Sequence, residues 1–130
     1  MKIAIIVVRT LLGALYVFSA VVVLFNIKMG EMPKLGPEAT AFMTGLAATG
    51  YFMKLLKITE LVGGLLLIVN KWAPLATVIL FPISLNIIFY HMALTPPNDW
   101  AASIFILLAN LFLAYAYRKN YAGLLNSKPL

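Results

Sequence analysis

From Ile3 to Ile27 the chain runs for 25 residues with one charged side chain, Arg9. A helix rises about 1.5 Å per residue, so this run is longer than the roughly 30 Å hydrocarbon core of a bilayer requires. Three further apolar runs cover residues 51–69, 72–94 and 100–117. The first run is too long for the apolar region of a typical signal segment. Asn26, Ile27, Lys28 and Met29 follow it without a small-residue cleavage pattern, so it reads as an uncleaved span.

Composition points the same way. Charged residues make up 11% of the 130 and hydrophobic ones 63%, against about a quarter charged in a soluble domain. So few charges cannot coat a water-facing globule, and neither a disordered tail nor a collagen-like chain has this balance. The expected fold is all-α: an integral membrane four-helix bundle, one domain over residues 1–130. Ten Lys and Arg against four acidic residues give a formal charge of +6. The positive residues sit mostly at the ends of the apolar runs and form no single cluster, which argues against nucleic acid as a partner. The absence of cysteine excludes disulfides, thiolate zinc sites and cysteine-held iron–sulfur clusters.

The connections differ in length. Asn70-Lys71 reads as a tight turn, and Thr95 to Asp99 as a short stiff loop in which Asn98 or Asp99 can cap the next helix. The connection from Lys28 to Gly50 is longer. Gly30, Pro33 and Gly36 signal turns, then Pro37-Glu38 signals a helix start. Residues 39–48 have helical composition, with Phe42, Met43 and Leu46 on one side. Too short to span, this helix is expected to lie at the interface or fold over the bundle mouth. Pro74 belongs to a first helical turn, and Pro82 should kink the third span. With the N-terminus inside, Lys2, Lys71, Arg118, Lys119 and Lys128 share one side; Lys28, Lys34, Lys54 and Lys57 take the other. The balance predicts both termini in the cytoplasm.

Charged groups in hydrocarbon cost several kcal/mol, so those that persist generally face the bundle interior with a partner. Arg9, Gly13, Tyr16 and Ala20 share a helical stripe, as do Lys57, Glu60 and Gly64. Ser84 and His91 lie seven apart, and so do Ser103, Asn110 and Tyr117. These spacings predict a polar seam, with Arg9, Tyr16, Lys57, Glu60, Asn86, His91 and Asn110 as candidate ligand-binding or buried polar residues. Arg9 and Lys57 are also close enough to helix ends to reach headgroups. Glu60 is not, and needs a proton, a ligand or a cation: Lys57 three residues away, or Arg9 from another helix. Asn86 and Asn110 also suit hydrogen bonds between helices, and Gly63-Gly64 close helix approach. One histidine cannot supply bis-histidine haem ligation, and no acidic or histidine cluster has metal spacing. Ser84 and His91 lack an oxyanion motif. No catalytic or metal-binding residue is assigned.

Further residues bear on kinship. Arg9-Thr-Leu-Leu-Gly13 opens the first span and Asn26-Ile-Lys28 closes it. Thr49-Gly50-Tyr51-Phe52 leads to Lys57-Ile-Thr-Glu60-Leu-Val-Gly63-Gly64. Trp72-Ala-Pro74, then Pro82-Ile-Ser-Leu-Asn86 running to His91, and finally Tyr115-Ala-Tyr117-Arg118 complete the series. In these elements the chain resembles the DoxX-like family of small bacterial membrane proteins. The resemblance implies a four-span bundle in the bacterial inner membrane and marks Arg9, Lys28, Glu60, Asn86 and His91 as characteristic polar positions. The family takes its name from a membrane subunit of a thiosulfate–quinone oxidoreductase, and its relatives include assembly and trafficking factors. Three functions stay open. One is an accessory subunit serving partner oxidoreductase subunits, with a quinone held by Tyr16, Asn86 and His91. The others are binding or transport of a small amphiphile through Arg9 and Glu60, and a structural or assembly factor without catalysis. A homo-oligomer fits any of them.

Overall fold

Each apolar run forms a helix, which is how a chain poor in polar side chains satisfies its backbone N–H and C=O groups internally. The computed structural model describes residues 2–25, 36–97 and 100–124. In order these form α1 (Lys2–Leu24), α2 (Pro37–Ala48), α3 (Phe52–Val69), α4 (Ala73–Leu94) and α5 (Ala101–Ala116), followed by a 3-10 turn over Arg118–Tyr121. No strand occurs among the described residues. Lys28, Gly30, Pro33, Lys34, Asn98, Asp99 and Lys128, which entered the sequence reading, lie outside them.

By length and composition α1 and α4 are apolar enough to cross a membrane. The other two long helices miss that mark for separate reasons. α3 has 18 residues but carries Lys54, Lys57 and Glu60. α5 is apolar but has only 16 residues, a rise of about 24 Å.

The anchor of the packing is the antiparallel crossing of α1 with α3, the most extensive helix pair in the molecule. Gly13 and Gly64 meet there, backbone against backbone. A Cβ on Gly13 would stand 2.7 Å from the Gly64 carbonyl oxygen, and one on Gly64 would stand 2.7 Å from that of Gly13. Next along α3, Gly63 leaves the space that Leu80 of α4 fills: a Cβ there would lie 2.9 Å from the Leu80 side chain. Adjacent glycines thus serve two neighbours. Leu12, Tyr16, Leu67, Leu80 and Leu113 complete a core drawn from α1, α3, α4 and α5.

The turn between α3 and α4 closes α3 tightly. Asn70 adopts the left-handed conformation (φ 59°), which asparagine tolerates better than most residues. The Lys71 N–H reaches back to Leu66 O at 3.1 Å and the Asn70 N–H to Leu67 O at 3.3 Å, a Schellman closure. α4 then runs through Pro82 to Leu94 as one helix.

The short helix α2 begins where Pro37-Glu38 indicated, with Gly36 at its N-cap. It rests on α3 and α4, and its Phe42 ring lies 5.3 Å from that of Tyr90.

Overfilling a close crossing typically costs about 1–3 kcal/mol. Gly64→Ala is therefore expected to lower the midpoint of thermal unfolding in detergent by that equivalent. Gly45 of α2 has nothing within 4 Å of where a Cβ would be. Gly45→Ala, measured alongside, should leave the midpoint unchanged or raise stability by up to about 1 kcal/mol.

Candidate functional site

Polar side chains occupy three levels along the bundle, each built by different helices. At the level of the α3–α4 turn, Arg9 of α1 is buried at 7% exposure. Its Nη1 donates to Leu67 O and, at 3.3 Å, to Ile68 O. Carbonyls in the last turn of a helix lack the i+4 donors of its interior and form the negative end of its dipole, so Arg9 adds a donor to Leu67 O beside the Asn70 N–H. Arg9 is thus the cap of α3, supplied by α1.

The middle level joins three helices. The Tyr16 hydroxyl of α1 is hydrogen-bonded to Ser84 Oγ of α4, and Asn110 Nδ2 of α5 donates to the same Ser84 oxygen at 3.1 Å. All three residues are fully buried. Asn110 Oδ1 has no partner among the described residues.

The third level holds a cavity of about 250 Å³ beneath α2. Glu60, 2% exposed, faces Lys57 one turn earlier on α3, with Nζ 3.2 Å from Oε2. The same ammonium donates to Ser19 Oγ of α1 at 3.0 Å. From α4 come Asn86, Tyr90 and His91, and from α2 the apolar roof of Phe42, Met43 and Leu46. Asn86 lines the cavity yet is exposed, so it stands at the opening. His91 Nδ1 lies 2.9 Å from Ile87 O. A carbonyl only accepts, so Nδ1 carries the proton and, in the neutral ring, Nε2 keeps the lone pair. The His91 and Tyr90 rings meet nearly at right angles, with centroids 5.1 Å apart.

The cavity therefore presents one ammonium, one carboxylate, one amide and one imidazole, with the hydroxyl-bearing Ser19 and Tyr90 also in its otherwise apolar walls. Of the seven residues singled out from sequence, it brings together Lys57, Glu60, Asn86 and His91. Arg9 lies at the opposite end of the bundle, and Tyr16 and Asn110 belong to the level between. The cation beside Glu60 is Lys57, because Arg9 is held at the end of α3. Sequence reasoning passed over Ser19 and Tyr90. Ser19 lies one turn beyond Tyr16 on α1, and that spacing was its only signal. Among the described residues no group of three or more His, Asp or Glu could hold a metal ion. No family model, curated protein or solved structure matches the chain.

Breaking a buried pair leaves the surviving charge uncompensated, at about 3–5 kcal/mol when it is fully desolvated. Lys57 keeps 13% exposure, so Glu60→Gln should cost less than that range. Lys57→Met combined with Glu60→Met should recover part of the loss. A double-mutant cycle on detergent unfolding midpoints measures the coupling, and additive losses would contradict a coupled pair. Tyr16→Phe deprives Ser84 of a buried partner and should cost about 1–3 kcal/mol by the same measurement.

Proposed function

We propose that the chain is a four-span membrane protein that binds the polar head of a small amphiphile in the cavity beneath α2. The observation carrying this reading is the combination of that cavity with an exterior that is apolar on every long helix. Large exposed side chains include Ile6 and Leu15 on α1, Leu55 and Val62 on α3, Val78 and Phe89 on α4, and Leu108 and Leu111 on α5. A water-soluble bundle turns its polar stripe outward, whereas helices apolar on both faces belong in lipid. On this reading α3 crosses with Lys57 and Glu60 neutralising one another, and α5 crosses with help from the turn after it. The basic residues at the α3–α4 turn and after α5 favour a cytoplasmic position for that end on this reading.

The cavity's chemistry suits a ligand that is flat or small at its polar end. Lys57 and Asn86 can donate to a carbonyl; Glu60 and the His91 Nε2 can accept from a hydroxyl. A quinone head needs an apolar slot with one or two such groups at its carbonyl ends. Together with the resemblance to DoxX-like proteins, this favours an accessory subunit in a bacterial inner-membrane redox complex, working beside partner oxidoreductase subunits. The reading assigns the chain no catalytic step.

Two measurements test the proposal. The chain has no cysteine, so an introduced one is a unique thiol. In intact cells Thr44→Cys, on α2, should react with a membrane-impermeant reagent, and Lys119→Cys should not; the reverse pattern would overturn the orientation. Native mass spectrometry of the gently extracted protein should show a small bound amphiphile. Its occupancy should fall at least about tenfold on removing a charged hydrogen bond, as in Glu60→Gln. Equal occupancy in wild type and variant would remove the cavity from the function.

A further inference from the structure

A second apolar recess lies on the outside of the bundle and shares no lining residue with the cavity under α2. Between α4 and α5 a groove of about 580 Å³ is walled by Val78, Phe81, Pro82, Leu111 and Ala114. Past Tyr121 and Leu124 it continues into a cleft of about 360 Å³ beneath Trp72 and Leu75. Its hydroxyls are already engaged. Thr77 Oγ1 donates to Ala73 O at 2.8 Å and the Tyr121 hydroxyl to Pro74 O at 2.7 Å. A long recess whose hydroxyls are spent within the protein suits hydrocarbon.

The mouth has the opposite character. Lys71 directly precedes Trp72, and Lys119 directly precedes Asn120, which also lines the cleft. Both lysines are exposed, and neither is paired among the described residues. Arg118 is turned aside, with its guanidinium 4.3 Å over the Tyr115 ring and bonded to Tyr115 O. Lys2 and Arg9 belong to the same end. Glu38 and Glu60, the described acidic residues, lie in the half of the bundle nearer α2.

We infer that this groove holds an acyl chain of an anionic phospholipid whose phosphate is met by Lys71 and Lys119. The inference rests on the bundle spanning a bilayer. Charge complementarity names the lipid, since juxtamembrane lysines attract anionic headgroups. A second copy of the chain fits poorly, because a two-fold contact across this face would set each lysine pair against its own like charge. Trp72 sits at the mouth, 72% exposed, and so reports on what occupies the groove.

The test uses the full chain in phosphatidylcholine vesicles containing a small, equal fraction of either phosphatidylglycerol or phosphatidylcholine brominated in its acyl chains. The part of the tryptophan quenching that disappears in Trp72→Phe belongs to Trp72, which leaves Trp100 out of the reading. The brominated anionic lipid should be enriched at Trp72 by about fivefold for each lysine. In Lys71→Gln combined with Lys119→Gln the two lipids should quench alike. Both positions are exposed, and helical circular dichroism confirms that the variant folds. Equal quenching by the two lipids in the wild type would overturn the lipid site while leaving the membrane reading intact. So would a preference that survives loss of both lysines, or an absence of quenching by either lipid in protein that floats with the vesicles. Failure to float would overturn the membrane reading and the lipid site together.

Discussion

The Gly13–Gly64 contact fixes the register of everything around it. Where two backbones touch, the helices cannot slide without driving Cβ atoms of neighbouring residues into carbonyl oxygens. One turn toward the termini from that crossing, Arg9 meets the end of α3. On the other side, Ser19 meets Lys57. These two polar contacts, on either side of the crossing, need the same antiparallel alignment, and a shift by one residue would break both. Small residues at the crossing thus determine which polar groups find partners, although they carry no polar group of their own.

The three polar levels differ in what they have left to offer. Arg9 donates to two carbonyls, and Tyr16, Ser84 and Asn110 bond chiefly to one another. Such interhelical bonds are worth about 0.6–2 kcal/mol in membrane bundles and suit packing. The level under α2 retains unspent capacity: Asn86 has no partner among the described residues, and His91 has bonded one nitrogen only. Free hydrogen-bonding groups on a cavity wall are what separates a site from a set of packing contacts.

Much of this was legible in the chain itself. Apolar run lengths located the long helices to within a few residues, and Pro37-Glu38 located the start of α2. The stripe of Arg9, Gly13, Tyr16 and Ala20 is buried throughout, as spacing on one helix required. Spacing cannot say which helix a stripe faces, or at what depth two stripes meet. The choice between Arg9 and Lys57 as the cation beside Glu60 was therefore open until the α1–α3 register was known. Nor could it place Asn86 at an opening, since α4 is apolar nearly all round and gives no sense of which side turns inward. Ser84 showed its spacing from His91, yet its partners lie on α1 and α5, at distances in the chain that no local pattern encodes.

Lys57 and Glu60 belong to a single helix, and that has a consequence for biogenesis. In a bilayer, α3 can enter hydrocarbon with its two opposite charges already neutralised, before any neighbour has docked, because the pair closes within one turn of its own backbone. Arg9 has no such companion on α1; its acceptors are the final carbonyls of α3. If the bundle spans a bilayer as proposed, the guanidinium must stay near the headgroups until that helix is in position, with α1 shallow or tilted to allow it. On the proposed four-span reading, assembly has an inherent order: α3 arrives with Lys57 and Glu60 already neutralised and Lys54 in its first turn near the headgroups, and its docking draws the earlier-made α1 to its final depth.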